Sequence, residues 1–198
     1  MQNYREFLGE LKSGIYGRVI KEGKRIAAEI FRDDMPDVVK AYAAMRYLTD
    51  HVRYDYLWYD QGFFGVSRLP ASDSTLEGAL LKQVAVCAGI SKAYSYLLEL
   101  GGVPCHYISG QTSGGGHAWN IVKLDGKYYH VDVTWALSDT GWKDRYFLLT
   151  DEEMRQSRSW KESEFPPCPA GKYSWKGYRK DVEQYQRRAG GGVRRWAV

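Results

Sequence analysis

The stretch GGGHAWNIVKLDGKYYHVDVTW, residues 114–135, decides the fold of this chain. Its centre carries Asp125-Gly126, a pair that favours a two-residue type I′ turn between antiparallel strands. If Leu124 pairs with Lys127 across that turn, the register of every other pair is fixed. Because side chains alternate between the faces of a strand, this register also determines which residues meet.

The predicted register brings a histidine and an aspartate to one face of the hairpin. In this register His117 falls opposite Thr134. Trp119 falls opposite Asp132, and all four side chains share a face. His117 and Asp132 become diagonal neighbours, about 7–8 Å apart at the backbone and within side-chain reach. His130 lies on the same face, so the spacing leaves two candidates for a base beside the acid.

A cysteine at the start of a predicted helix supplies a third group. Cys87 lies in AVCAGISKAYSYLLEL, residues 85–100, which has helical spacing and is followed by Gly101-Gly102 as a stop. A thiol attacks as thiolate, and both a helix N-terminus and a nearby imidazolium stabilise that anion. Cys87, a histidine base and Asp132 as the orienting acid therefore predict nucleophilic catalysis.

The glycine run at positions 114–116 favours His117 over His130 as the base. Glycines let a substrate, or the cysteine helix, approach the backbone closely. A lone cysteine is more often a buried core residue, and a lone strand histidine is usually structural. The catalytic interpretation therefore depends on Cys87, His117 and Asp132 occurring together in this order.

The same residues resemble the transglutaminase-like superfamily, and in particular its bacterial members of the papain-like cysteine-hydrolase type. The resemblance covers about residues 50–168. It includes DHVRYDY, the Cys87 helix, the His-Ala-Trp and Val-Asp-Val-Thr-Trp strings, and RYFLLTDEEMRQSRSWKESEFPPC. It implies that Cys87 is the nucleophile, His117 the base and Asp132 the orienting acid. The expected fold is α+β, with the nucleophile helix packed on an antiparallel sheet as in a papain-like transglutaminase core.

The chain departs from the usual family pattern near the cysteine. Gln83 stands where a glycine is usual, and Ala88 stands where a polar residue is usual. Gln83 is a candidate donor to an oxyanion through its side-chain amide, and the alternative is a loop glutamine facing water. The Cys87 backbone N–H, at a helix start, is the first expected donor. Trp119 is a candidate substrate contact beside His117.

These features predict acyl chemistry on protein or peptide amides through a thioester intermediate. Hydrolysis, by a protease or amidase, is favoured because the sequence shows no calcium-binding loops or extra domains of animal cross-linking enzymes. A protein cross-linking transglutaminase is one alternative. A non-catalytic module that binds a protein or a cell-wall peptide is another, although such relatives usually lose one of the three residues.

A chain of 198 residues is long enough to build one core. We divide it into an N-terminal extension at 1–35, a catalytic core at 36–168 and a basic C-terminal segment at 169–198. A helix is predicted at 36–52, and residues 3–32 suit short strands or helix. Strands are predicted at 105–109, 117–124, 127–134 and 144–149, a short helix is predicted from Asp151, and residues 54–74 read as irregular.

Composition argues against cofactors and most binding classes. Three cysteines are an odd number, and without a C-x-x-C pair or paired histidines no metal or other cofactor is expected. Residues 170–198 hold eight Lys or Arg against two acids, but a solvated terminus is favoured over nucleic-acid binding. No stretch approaches the about 20 apolar residues of a membrane span. The first ten residues lack a signal-peptide core, which predicts a cytoplasmic protein, or the catalytic part of an exported one without its leader. The oligomeric state is not predicted.

Overall fold

The protein is described by a computed structural model that covers residues 14–56, 72–138 and 143–189. It is an α+β fold. In chain order the helices are α1 (Tyr16–Ile30), α2 (Asp37–His51), α3 (Cys87–Leu100), α4 (Val133–Ser138), α5 (Asp151–Arg155) and α6 (Tyr178–Ala189). The strands are β1 (Arg53–Tyr54), β2 (Val84–Ala85), β3 (Cys105–Thr112), β4 (Gly115–Leu124), β5 (Lys127–Val131) and β6 (Phe147–Leu149). A π-helical turn spans Glu77–Lys82, and 3-10 turns span Lys143–Tyr146 and Glu162–Glu164.

The main sheet has the strand order β3-β4-β5-β6, and its neighbours are antiparallel. Helix α3 packs on one face of this sheet. Ser91 Oγ donates a hydrogen bond to the Ala118 carbonyl at 2.9 Å, and Asn120 Nδ2 donates to the Ser91 carbonyl at 3.0 Å. The predicted packing of a nucleophile helix on an antiparallel sheet is confirmed.

The hairpin of β4 and β5 has the predicted register. Leu124 pairs with Lys127, and the pairs continue in that register to Asn120 and Val131. Asp125 and Gly126 both have positive φ, at 49° and 77°, as a type I′ turn requires. The local turn chemistry therefore sets which side chains of these two strands share a face.

Strand β5 ends three residues earlier than predicted, at Val131. The next residue, Asp132, donates its backbone N–H to the Tyr146 carbonyl at 2.9 Å, and its Oδ1 accepts the Trp135 N–H at 3.0 Å. Asp132 thus caps the N-terminus of α4, because a capping side chain accepts an N–H of the first helical turn. The expected pairs of His117 with Thr134 and of Trp119 with Asp132 are wrong. The predicted strand at 144–149 is likewise reduced to the three residues of β6.

The sheet separates a main core from a small core. The main core lies on the α3 side and includes residues of α1, α2, α3 and α6. The small core lies on the opposite face, where Trp119 and Ile121 point away from α3. Its buried members are Ile108, Trp119, Ile121, Met154 and Cys168.

The predicted helices at 36–52 and 87–100 are confirmed as α2 and α3, and the one expected from Asp151 as α5. The residues predicted as short strands or helix at 3–32 form α1 where they are described, and α1 packs in the main core through Val19, Ile26 and Ile30. Most of the segment predicted as irregular at 54–74 lies outside the described residues.

The basic C-terminal segment packs on the core as far as it is described. Tyr178, Val182 and Tyr185 of α6 are buried, and the Tyr178 ring lies 5.5 Å from that of Tyr42. The division of the chain into three parts remains a prediction. Within the described ranges, no helix is both long and apolar enough to cross a bilayer.

Candidate active site

Cys87 is the first residue of α3, and its side chain is partly exposed. The chain enters this helix through β2, which pairs in parallel with β1. The Val86 N–H donates to the Asp73 carbonyl at 3.0 Å and fixes the residue just before the helix. The first N–H groups of a helix have no partner within it and carry partial positive charge, so Cys87 lies where an anion is stabilised.

His117 on β4 interacts with both of the other predicted residues. Its Nε2 lies 2.7 Å from Asp132 Oδ2, and the ring also interacts with the Cys87 thiol. The ring is 9% exposed. Burial opposes its charged form, but the bonds to Asp132 and Cys87 outweigh burial and raise the pKa of His117 to about 9. The structure therefore brings Cys87, His117 and Asp132 together.

Asp132 is fully buried and accepts four hydrogen bonds. Three reach Oδ2, from His117 Nε2, from Arg158 Nη2 at 2.5 Å and from Arg158 Nε at 3.0 Å, while Oδ1 accepts the Trp135 N–H. Burial alone raises the pKa of a carboxyl, but His117, the Arg158 charge and the Trp135 N–H together lower the pKa of Asp132. Four hydrogen-bond donors around one buried carboxyl group favour its ionised form.

Arg158 is a site residue that the sequence analysis missed. Its side chain is 1% exposed, and its Cζ lies 3.8 Å from the centroid of the Trp135 ring. It reaches Asp132 because the neighbouring Ser159 exchanges two backbone hydrogen bonds with Gln111 of β3, at 2.8 and 3.0 Å. A Cβ at Gly110 would collide with the Ser159 carbonyl. A glycine inside a strand pattern signals such a close backbone approach, and this signal was available in the sequence.

His130, the other candidate base, has both ring nitrogens engaged elsewhere. Its Nδ1 accepts the Trp119 indole N–H at 3.0 Å, and its Nε2 lies 2.8 Å from Asp151 Oδ1. An indole nitrogen only donates, so the His130 ring carries its proton on Nε2 and donates it to Asp151. Burial lowers the pKa of His130, although the Asp151 bond opposes that effect.

Trp119, the candidate substrate contact, is fully buried in the small core. Its indole N–H is donated to His130, as described above. Its ring stacks at 5.8 Å, centroid to centroid, on that of His117. The structure thus leaves no surface of Trp119 for a substrate and gives it a packing contact with the His117 ring.

Three potential metal ligands lie close together in the small core. One ligand atom each of His130, Asp151 and Cys168 fall within 4.8 Å of one another. A metal would need the lone pair of His130 Nε2, but the Trp119 N–H at Nδ1 keeps the proton on Nε2. Burial also raises the pKa of Cys168, which keeps that thiol protonated. The contacts fit a hydrogen-bonded cluster rather than a metal centre.

Gln83, the candidate oxyanion donor, is exposed and ends the π-helical turn. Its φ of 56° places it in the left-handed region, and its carbonyl accepts the Arg53 N–H at 2.9 Å. That conformation favours glycine, which explains why a glycine is usual at this position in the family. The role of its side chain in binding an oxyanion remains a prediction.

The glycine run before His117 is predicted to let a substrate or the cysteine helix approach closely. These residues lie at the end of the β3–β4 turn and the start of β4 and are exposed, with Gly115 at a φ of 108°. A Cβ at Gly115 or Gly116 would meet no atom of the described residues within 4 Å. The cysteine helix therefore does not pack against these glycines, whereas the space beside this strand end is open.

The chain belongs to the transglutaminase-like superfamily. The core model of this superfamily matches residues 24–133, more than half of the chain, and the match includes Cys87, His117 and Asp132. Membership supports cysteine-based catalysis in general and an enzyme of this kind.

Solved structures give distant likenesses. A crystal structure of a TGase is 20% identical, with 67% of this chain and 37% of that chain covered and a TM-score of 0.49. A provisionally named cysteine protease from Cytophaga hutchinsonii is 17% identical, with 65% and 42% covered and a TM-score of 0.41. The matched part spans less than half the length of either chain. Comparison with curated proteins gives no significant match.

Proposed function

We propose that the protein is a cysteine hydrolase that cleaves amides of proteins or peptides through Cys87, His117 and Asp132. The observation that carries this proposal is the placement of the His117 ring, which is hydrogen-bonded to the buried Asp132 carboxylate and also interacts with the Cys87 thiol. A nucleophile, a base and an orienting acid next to one another are the parts of a thiol protease site.

The hydrogen bond to Asp132 supports Nδ1 of His117 as the basic nitrogen. Asp132 only accepts, so His117 Nε2 carries a proton and donates it to the carboxylate. In the neutral ring Nδ1 then has the free lone pair, and it is the nitrogen left for the Cys87 thiol. Transfer of the thiol proton to Nδ1 gives a thiolate and an imidazolium, which stabilise each other.

The thiolate attacks the carbonyl carbon of the amide and forms a carbon–sulfur bond. Negative charge moves to the carbonyl oxygen, and the Cys87 backbone N–H at the start of α3 is the proposed donor to it. The imidazolium returns its proton to the leaving amine as the carbon–nitrogen bond breaks. Water then gives a proton to His117 as its oxygen attacks the thioester carbon. The carbon–sulfur bond breaks, the acid leaves, and His117 returns the proton to the Cys87 sulfur.

An open approach to the site supports a peptide substrate. The Cys87 side chain is partly exposed, and Gly115 and Gly116 beside His117 leave space next to the strand. Water is the proposed acceptor because it requires no binding surface of its own. A protein or peptide substrate is part of the proposal, and the identity of that substrate is to be found by experiment.

The test is the mass of the intact protein after incubation with peptide libraries. We expect an acyl adduct on Cys87 in the wild type and none in Cys87→Ala, while Cys105→Ala, the matched control thiol, keeps the adduct. A parallel incubation with a primary amine separates hydrolysis from transfer. Persistent absence of a Cys87 adduct, together with ordinary reactivity of this thiol toward alkylating agents, would refute the proposal.

A further inference from the structure

Asp132 has a second cationic partner that a Cys-His-Asp arrangement does not need. The Arg158 guanidinium donates to Asp132 Oδ2 through two nitrogens, and its third nitrogen donates to Ser157 Oγ at 2.6 Å. The group is stacked on Trp135 and sealed from water. A buried charge is costly unless it is paired and hydrogen-bonded, and here all three nitrogens have a partner.

The geometry fixes the carboxylate from both ends. Oδ2 is held by Arg158 and His117, and Oδ1 is held by the Trp135 N–H. Rotation of the carboxylate would break bonds at both oxygens. His117 therefore meets an acceptor whose position is also set by Arg158 and the Trp135 N–H.

The charged groups around Arg158 determine the net charge of the site. Asp132 is the anion in contact with it, His117 lies beyond that carboxylate, and the buried His130 and the Tyr146 ring lie nearby. Without Arg158, an Asp132 anion and a His117 cation would form a neutral pair on their own. With Arg158, the charge of Asp132 is already neutralised, so a positive charge on His117 requires a second anion.

We propose that Arg158 is a positioning residue that holds Asp132 ionised and turned toward His117, so that the His117 imidazolium is balanced by the Cys87 thiolate. This inference rests on the proposed function of the same site. Arg158 acts through Asp132 and does not touch the reacting atoms. A purely structural clamp would hold the segment but would not influence the ionisation of the thiol.

The test is the pH dependence of Cys87 alkylation by iodoacetamide, read by peptide mass mapping. Arg158→Met removes the charge. Arg158→Gln also removes the charge but keeps a hydrogen-bond donor toward Asp132, so it serves as the neutral variant if Arg158→Met does not fold. Removing a nearby positive charge disfavours the thiolate, and the midpoint should rise by about 1 pH unit. Arg158→Lys keeps the charge and should keep the midpoint.

Arg155→Met is the matched control. This arginine lies three residues earlier, is half exposed and pairs with Glu162 at the surface, so its loss should leave the profile in place. Circular dichroism and thermal melts confirm that each variant is folded. Folded neutral variants of Arg158 with the wild-type midpoint would overturn the inference. Failure of the proposed function is a separate result, since the wild type and His117→Ala would then share one profile.

Discussion

The three cysteines lie in different surroundings, so an alkylating agent should distinguish them. Cys87 is partly exposed beside His117. Burial raises the pKa of Cys105 to about 12, although hydrogen bonds to Ser95 and Asn120 oppose that effect. Cys168 is fully buried, and burial together with the charge of a neighbouring carboxylate raises its pKa further. Iodoacetamide at about pH 7.5 should therefore label Cys87 first.

The size of the difference follows from the thiolate populations. A pKa of about 12 leaves roughly 0.003% of the Cys105 thiol ionised at about pH 7.5, against roughly 10% for an unshifted thiol. That loss is about 3000-fold, while the greater nucleophilicity of a more basic thiolate recovers only about 40-fold. Cys105 should thus react about 70-fold more slowly than an ordinary thiol, before any effect of access.

The assay is a time course of labelling, followed by digestion and peptide mass mapping. The unfolded protein in denaturant is the control, and there all three cysteines should react at similar rates. Labelling of Cys105 or Cys168 as fast as Cys87 in the folded protein would refute both the surroundings described here and the assignment of the nucleophile.

Four further predictions concern single residues of the site. Asp132→Asn should lower turnover by about 10⁴-fold, by analogy with serine triads. It should also lower the free energy of unfolding in urea by about 3–5 kcal/mol, because Arg158 is left as a buried unpaired charge. Wild-type turnover would contradict the assignment of Asp132 as the orienting acid. His117→Ala should abolish the acyl adduct, whereas His130→Ala should lower the free energy of unfolding by about 2–3 kcal/mol and leave the pH profile of alkylation unchanged; the reverse pattern would make His130 the base. Gln83→Gly should raise the free energy of unfolding by about 1 kcal/mol by relieving a left-handed conformation and should keep activity; loss of activity with that gain would instead identify Gln83 as an oxyanion donor. The pKa of His117 is raised to about 9 in the folded state, so the protonated ring stabilises the fold. This contribution to the free energy of unfolding is fully present below about pH 6.5 and is lost as pH rises through about 9, a fall of about 3 kcal/mol. Urea midpoints across this pH range should show the fall, and His117→Ala should remove it.

Local chemistry was enough to predict the hairpin and the nucleophile helix. The Asp125-Gly126 turn fixes the pairing of β4 with β5, and the pairing fixes the face of His117. Helix α3 begins at Cys87 and ends at Leu100, as its apolar spacing and the following glycines indicate. The turn and the helix depend on residues that are close together in the sequence, so one sequence is enough to predict them.

Contacts between segments that are far apart in the sequence could not be predicted from local chemistry. Strand β5 ends at Val131 because Asp132 bonds to the Tyr146 carbonyl and caps a helix, although the capping preference of aspartate offered a hint. Arg158 lies 26 residues from Asp132, and its approach requires Ser159 to join the edge of β3. Only Gly110 hinted at that approach, and a glycine alone does not say which segment arrives.

The separation of the two cores has a consequence for how the enzyme would fail under stress. Among the described residues the small core has five buried members, and two of them, Met154 and Cys168, come from the segment that carries Arg158. A unit with little buried apolar surface opens at a lower free energy than the whole protein. Partial opening there would release Arg158 while α3 and the main core stay folded. We therefore expect rising denaturant to bring the alkylation rate of Cys87 to that of an ordinary thiol before circular dichroism records any loss of helix.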